Sequence, residues 1–179
     1  MEFQTGDEVM NRVESIKEPT ARHRSNAGFS LIELLVVVAV ILIIAAIAIP
    51  NYVQSKMRAN EASAVQSLRN IVTAELVYST TYGIGFTNGA GLAKLSGSGV
   101  APDQNNAGLI DEVLASGIKQ GYNINYTPLT TDAQGNTATY SVTADPISAS
   151  TGQRHFYADQ TCVIRSNSAV PAGPNDLPI

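Results

Sequence analysis

The pattern of apolar and polar positions divides the chain at Gly28. The residues before it are polar and locally basic, whereas an almost unbroken apolar run begins at Phe29. From Leu34 to Ile49, sixteen consecutive residues carry no polar side chain. A helix of about 20 apolar residues can cross the hydrocarbon core of a bilayer, and such a run is too long for a strand. The pattern therefore predicts a membrane-length helix that begins near residue 29.

A second pattern follows Pro50, where apolar residues recur at intervals of mostly three or four, or twice that. They are Val53, Met57, Val65, Leu68, Val72 and Leu76. This spacing predicts one apolar face of an amphipathic helix, with Glu61 among the charged residues off that face. Joined to the apolar run, the helix is predicted to extend from Phe29 to about Tyr82. Pro50 lies near the junction, where it removes one helical hydrogen bond and can introduce a bend.

The region after the predicted helix contains strand-like alternation. Residues 83–108 are rich in Gly, Ser and Asn, which predicts a surface loop with a short helical turn near Leu92–Leu95, and Leu109–Ser116 is predicted to be a short helix. The runs YNINYTPL and TATYSVTA, joined by turn residues, predict a hairpin, and RHFYADQ and CVIRS predict a further pair of strands. The proline-rich tail is predicted to be irregular and mobile.

These elements together predict an α+β fold. A long N-terminal helix would pack, from Tyr52 onward, on a small antiparallel sheet of three or four strands. The 179 residues suffice for one modest domain plus the helix. A formal net charge of −4 argues against a general nucleic-acid surface. The single cysteine, Cys162, cannot form an internal disulfide, and we expect it to be a small apolar residue in a strand.

No residue pattern indicates catalysis, so neither an enzyme activity nor a cofactor is predicted. His23 precedes the apolar run, and His155 lies alone in a predicted strand, where a surface or packing role is expected. Asp132 and Asn136 offer oxygen ligands for a calcium ion, but they lack the dense ligand spacing of a strong calcium loop. No metal site is therefore predicted.

One acid, Glu33, interrupts the apolar run. An ionised carboxylate at bilayer depth costs roughly 2.5–3.5 kcal/mol on insertion scales. The run could be a secretory signal peptide, whose apolar region would be shorter, at about 7–15 residues. It could also be a plain single-pass anchor with Glu33 snorkelling at its end. A third interpretation makes the polar-to-apolar boundary a processing site, and only this one gives Gly28 and Glu33 a role.

The stretch GFSLIELLVVVAVILIIAAIAIPNY resembles the N-terminal signature of type IV prepilins and pseudopilins. The resemblance implies that a prepilin peptidase cuts between Gly28 and Phe29 and methylates the new N-terminus at Phe29. Glu33 matches the family's acid, and Pro50 matches the proline that often kinks the family's helix. The stretches GYNINYT and GQRHFYADQTCVIR are more loosely similar to a group of bacterial pilin-like proteins with a short C-terminal sheet.

Cleavage would create a partner for Glu33. The new α-amine at Phe29 is positively charged, and methylation keeps that charge. In a stack of helices, Glu33 of one subunit can pair with the amine of its neighbour. Such a pair in low dielectric discriminates strongly against wrong register.

The resemblance also implies a division of the chain and a structural role. The segments are a cleaved leader, 1–28, a transmembrane and filament-core half of the helix, 29–50, an amphipathic half, 51–82, and a globular head, 83–179. The leader is longer than many in the family, so Met10 is an alternative start to Met1.

The implied protein is a structural subunit of a type IV pilus or pilus-like filament. It would sit in the bacterial inner membrane as a single-pass protein with its head outside the cytoplasm. An assembly platform and an ATPase would then polymerise it with itself or related subunits into an extracellular or periplasmic filament. The alternatives are a type II secretion pseudopilin forming a short piston, and a membrane-anchored domain that never polymerises.

Overall fold

The computed structural model describes most of the chain from the polar-to-apolar boundary onward. The described residues are 28–89, 91–97, 99 and 101–179. The predicted leader up to residue 27, the alternative start at Met10, and His23 lie outside the described residues. The described residues fall into two units, and the boundary between them falls after Ile41.

The first element is helix α1, Leu31–Tyr82. Its end coincides with the predicted end, and its start is two residues later than Phe29, the predicted start. Pro50 lies inside the helix, with helical residues on both sides. Within the described residues, α1 is the one helix that is long and apolar enough to cross a membrane, judged by length and composition.

Burial along α1 begins at Asn60 rather than at Tyr52, which is exposed. The buried residues of α1 are Asn60, Glu61, Ala64, Ser67, Leu68, Ile71, Val72, Ala74, Glu75 and Tyr78. Of the predicted apolar face, Leu68 and Val72 are buried, but Leu76 is 53 % exposed. The predicted face was therefore wrong in part, because the covered face also includes small and polar residues that an apolar pattern leaves out.

Two short helices follow α1. Helix α2, Gly91–Leu95, occupies the position predicted for a helical turn. Helix α3, Glu112–Ala115, is shorter than the predicted Leu109–Ser116. It starts late because the Asp111 carboxylate accepts a hydrogen bond from the Leu114 amide at 2.9 Å and so caps the helix at that point.

Six strands form one sheet in which sequence neighbours pair antiparallel, in the order β1 to β6. They are β1 Ile118–Lys119, β2 Tyr122–Thr131, β3 Thr137–Pro146, β4 His155–Asp159, β5 Arg165–Asn167 and β6 Leu177–Pro178. The β2–β3 hairpin and the β4–β5 pair confirm the predicted strands. The predicted number of strands was wrong, because β1 and β6 have only two residues each and show no alternation.

One face of the sheet packs on the covered part of α1. The core cluster joins helix residues such as Leu68 and Ile71 to strand residues such as Tyr140, Val142 and Phe156. These side chains are almost completely removed from solvent. The α+β fold class, with a long helix and a small antiparallel sheet, is therefore confirmed.

Two predictions near the C-terminus were wrong. Cys162 is exposed, with a φ of 62°, and lies in the turn between β4 and β5 rather than in a strand. The tail is tied to the sheet rather than free, because β6 pairs with β5 and the Arg165 guanidinium donates to the Asp176 carbonyl at 2.9 Å. The Asp176 carboxylate accepts from the Asn167 side chain, also at 2.9 Å.

Candidate assembly site

The boundary at Gly28 lies just before α1, in a short stretch without regular secondary structure. A Cβ atom placed on Gly28 would meet no neighbouring atom within 4 Å. Gly28 is also not among the residues with positive φ. The next residue, Phe29, is 82 % exposed. The described fold therefore gives no reason for a glycine at this position, so any requirement for it must come from outside the fold.

Glu33 lies in the first turn of α1 and is exposed. An acid in the first turn interacts favourably with the helix dipole, by about 0.3–1 kcal/mol. That gain is smaller than the cost of roughly 2.5–3.5 kcal/mol for a charge at bilayer depth. None of the ion pairs within the described residues involves Glu33. Local helix energetics alone therefore do not account for this carboxylate.

The apolar part of α1 is uncovered. Its large side chains, from Leu31 to Ile49, are exposed by 45–80 %. The most apolar 18-residue window of the helix has 0 % of its residues buried. Soluble monomers rarely expose so large an apolar surface. A surface of this kind marks contact with a membrane or with other protein.

A second group of polar contacts ties α1 to the connection between β3 and β4. The Glu61 carboxylate accepts hydrogen bonds from the Gln153 amide at 3.0 Å and from Arg154 Nε at 2.9 Å. Beside it, Asn60 Nδ2 donates to the Thr151 carbonyl at 2.8 Å. The sequence prediction had placed Glu61 off the packed face. The available signal was its position about one helical turn before Ala64 and two turns before Leu68.

The charge state of Glu61 follows from these contacts. Burial acts to raise the pKa of Glu61, but the hydrogen bonds from Gln153 and Arg154 and the Arg154 charge together outweigh it. The net pKa lies below the ordinary value of 4.5. The Arg154 guanidinium also lies over the Phe156 ring, 5.3 Å from its centroid. Glu61 therefore remains an ionised anchor for the head at neutral pH.

Glu75 is the other buried acid of α1, and it is 0 % exposed. It accepts a hydrogen bond from the Thr87 amide at 2.9 Å and a short one from the Thr87 hydroxyl. Burial raises the pKa of Glu75 above its ordinary value, and the Thr87 hydrogen bonds only partly oppose this. The Tyr126 hydroxyl donates to the Thr87 carbonyl at 2.7 Å. Glu75 and Tyr126 thus hold Thr87, and with it the loop after α1, against the helix and strand β2.

The other residues considered in the sequence have structural partners. His155 Nδ1 lies 2.5 Å from Asp145 Oδ1, which links β4 to β3. Asp132 Oδ1 accepts from the amides of Gln134 and Asn136 at 2.9 and 2.8 Å and so holds the turn between β2 and β3. Within the described part of the chain, no group of three or more His, Cys, Asp or Glu side chains could hold a metal ion.

Comparison with known proteins finds similarity to pilus and fimbrial proteins. The family model of the prokaryotic N-terminal methylation motif matches residues 23–49. The chain is 35 % identical over 112 residues to a fimbrial protein of Pseudomonas aeruginosa, covering 55 % of this chain and 73 % of the relative. It is 48 % identical over 50 residues to the type IV major pilin protein PilA of Myxococcus xanthus, covering 28 % of this chain and 23 % of that protein.

A third relative is the type IV wide pilus major component PilA4 of Thermus thermophilus. It is 42 % identical over 55 residues, covering 31 % of this chain and 42 % of the relative. The chain thus spans less than half of the Myxococcus xanthus and Thermus thermophilus proteins that it matches. No solved structure matches it.

An uncovered apolar helix, a methylation motif and a small antiparallel sheet packed on the same helix define a pilin-like protein. The fimbrial relative is matched over 73 % of its length at 35 % identity. The chain therefore belongs to the type IV pilin family, which consists of structural subunits rather than enzymes. The resemblance seen in the sequence is confirmed.

Proposed function

We propose that this chain is the precursor of a structural subunit of a type IV pilus. The observation that carries the proposal is that one helix, α1, is uncovered over its apolar first part and packed against a folded head over its last part. A protein of this kind needs lipid around the apolar first part of α1 while it is a monomer. It needs neighbouring copies around the same part once it leaves the membrane.

Processing begins at the boundary before α1. A prepilin peptidase cuts between Gly28 and Phe29, methylates Phe29, and discards residues 1–28. The open space around Gly28 and the exposure of Phe29 support this step, since the fold itself does not require the glycine and leaves the following residue accessible.

Assembly depends on residues 29–50, which serve first as a transmembrane anchor and then as the filament core. Residues 51–82 and the head, 83–179, lie outside the cytoplasm in this proposal. A platform protein and an ATPase move the subunit from the inner membrane into the filament, where its apolar helix packs on other copies. Pro50 weakens the helix near the junction by removing one hydrogen bond.

Glu33 sets the register of that packing by pairing with the methylated amine of a neighbouring Phe29. The test replaces Glu33 by Gln, which has nearly the same shape without the charge. We expect normal cleavage and normal membrane levels, with filament yield in sheared fractions reduced about tenfold, the factor that corresponds to about 1.4 kcal/mol.

The matched control is Glu112→Gln, which removes an exposed acid from the head and should leave filament yield unchanged. Normal filament yield from Glu33→Gln would remove the pairing. A loss of the protein from the membrane would instead assign Glu33 to insertion.

Mass spectrometry of the mature N-terminus tests the processing step. We expect a chain that begins with methylated Phe29 in cells with active peptidase, and an uncut chain from Gly28→Leu. Gly28→Ala should be cut in part, because Ala is the smallest possible change. An uncut or unmethylated wild-type chain would favour a membrane-anchored domain that does not polymerise.

The relatives do not favour the secretion pseudopilin over the pilus subunit, since their names describe pilus and fimbrial components. Antibody labelling of long surface fibres separates the two. Fibres that contain the chain support the pilus subunit, whereas a chain confined to the periplasm supports the pseudopilin.

A further inference from the structure

A groove of about 500 Å³ lies beside α1, where the helix meets the connection between β3 and β4. It is lined by Gln54, Met57, Arg58, Glu61, Gln153, Arg154 and Ser168. The lining contains two guanidinium groups and one carboxylate, so its formal charge is one positive. The groove is partly open to solvent, so a ligand can enter it.

Some of the guanidinium nitrogens that line the groove have no hydrogen-bond partner within the described part of the protein. The Glu61 carboxylate accepts from the Arg154 guanidinium through Nε at 2.9 Å, and the Arg154 backbone amide also donates to it at 3.4 Å. Within the described residues, the two terminal nitrogens of Arg154 have no hydrogen-bond partner, and the guanidinium of Arg58 has neither a hydrogen-bond nor an ion-pair partner. Free guanidinium forks of this kind match the geometry of phosphate oxygens.

The position of the groove along α1 suggests the source of the phosphate. The apolar run ends at Ile49, and Gln54 and Arg58 follow five and nine residues later. At 1.5 Å per residue they lie about 7 and 14 Å further along the helix axis. The polar layer of a bilayer extends roughly 5–8 Å beyond the hydrocarbon core on each side.

The direction of the side chains shortens that distance. Side chains on a helix lean toward its N-terminus, which here is the end carrying the apolar run. A long arginine stem lies along apolar surface and carries its charge toward the interface. The Arg58 guanidinium can therefore reach the level of the lipid headgroups, although the Arg58 backbone lies further from the membrane.

We propose that this groove binds the phosphodiester of an anionic glycerophospholipid headgroup while the subunit is stored in the membrane. One monoanionic phosphate balances the charge of the groove. The contact holds the head, through Arg154 and Glu61, at the bilayer surface, and it must be released when the subunit is extracted. The inference rests on the proposed membrane-anchored state of the chain.

The test measures lipid retained by the full-length chain in detergent micelles, by native mass spectrometry during titration with phosphatidylglycerol. Parallel titrations use phosphatidylcholine, diacylglycerol and inorganic phosphate. Wild type should retain phosphatidylglycerol best and diacylglycerol, which has no phosphate, least. Inorganic phosphate at millimolar concentration should compete only weakly, because it lacks the acyl chains that place the lipid at the groove.

Two variants assign the binding to the groove. Arg58→Gln removes a charge with no partner in the described fold, and Arg154→Lys keeps a cation for Glu61 but removes the free terminal nitrogens. Each should weaken phosphatidylglycerol retention about tenfold. Arg69→Gln is the matched control, because it removes an exposed cation from the same helix outside the groove, and it should bind like wild type.

Equal phosphatidylglycerol retention by wild type, Arg58→Gln and Arg154→Lys would overturn the inference. Unchanged lipid retention together with lost filaments in Arg58→Gln would also overturn it, and would assign the groove to a carboxylate of a neighbouring subunit. If Arg154→Lys loses its near-ultraviolet circular dichroism, Arg58→Gln alone decides. A wild-type chain that fails to insert into bilayers would contradict the proposed function itself, which separates the two failures.

Discussion

The two ends of α1 differ in how composition relates to burial. The first part, Leu31–Ile49, is almost wholly apolar and exposed, whereas the part from Asn60 to Tyr78 is mixed and supplies the buried face of the helix. The buried face even contains Asn60, two glutamates and Ser67. Burial along α1 therefore depends on whether the head covers that part of the helix, and not on how apolar the part is. The most apolar part of α1 lies outside the head and is left exposed.

The three glutamates of α1 make the same comparison for charge. Glu33 is exposed and has no ion-pair partner among the described residues. Glu61 is ionised and held by Arg154, while Glu75 is enclosed, with its pKa raised by burial. The three glutamates of one helix thus lie in three different environments. Only the environment of Glu33 leaves the carboxylate open to a partner from another molecule.

The largest expected effect separates the two parts of the helix directly. Leu68→Ala should lower the free energy of unfolding of the head by about 2–5 kcal/mol, because Leu68 is 0 % exposed in the core. Leu42→Ala, the matched change in the uncovered part, should alter it by less than about 0.5 kcal/mol. Urea unfolding of the full chain in detergent, followed by near-ultraviolet circular dichroism of tyrosine, measures both. Equal losses would mean that the first part also supports the head.

The second effect concerns the paired acid. Glu61→Gln should cost about 1.5–3 kcal/mol at neutral pH, since it weakens hydrogen bonds to a charged group. Because the folded pKa of Glu61 is lowered, its stabilisation is present above the unfolded value near 4.5 and is lost as pH falls through the folded pKa. The difference between wild type and variant should therefore shrink in acid. A difference that stays constant with pH would exclude this linkage.

The third effect compares two glycines. A Cβ on Gly152 would lie 2.1 Å from the hydroxyl oxygen of the buried Tyr122, so Gly152→Ala should destabilise the head by about 1–3 kcal/mol. A Cβ on Gly173 meets nothing within 4 Å, and Gly173→Ala should be close to neutral. Thermal unfolding of the two variants under one set of conditions is sufficient. Similar melting temperatures would show that Tyr122 moves aside freely.

The smallest effect has the opposite sign. Glu75→Gln can still accept from the Thr87 amide and removes a carboxylate whose pKa is raised. The stability contributed by Glu75 is fully present below the unfolded pKa near 4.5 and is lost as pH rises through the folded pKa. The variant should therefore become the more stable protein as pH rises, in contrast to Glu61→Gln. Urea unfolding at pH 4, 6 and 8 measures this, and a variant less stable than wild type at pH 8 would contradict it.

Sequence patterns predicted the parts of the fold that depend on local periodicity. The end of α1 at Tyr82, the β2–β3 hairpin and the β4–β5 pair follow from apolar spacing, alternation and turn residues. The two-residue strands, the exposure of Cys162 and the attachment of the tail through Asp176 were missed. The two-residue strands are too short to show alternation. Cys162 lies in a local turn in which its amide donates to the Asp159 carbonyl, and the tail is held by side-chain contacts that leave no periodic signal.

By itself, the sequence determined the membrane-length helix, its interruption by Glu33 and the glycine at the polar-to-apolar boundary, because these are consecutive residues whose chemistry is local. Only the tertiary structure decided which face of α1 is covered and what Glu61 and Glu75 do there. The pKa of Glu61 is lowered by its hydrogen bonds and ion pair, whereas the pKa of Glu75 is raised by burial. The reason is that burial and hydrogen-bond donors set the cost of a charge, and both are supplied by the β3–β4 connection and the loop after α1.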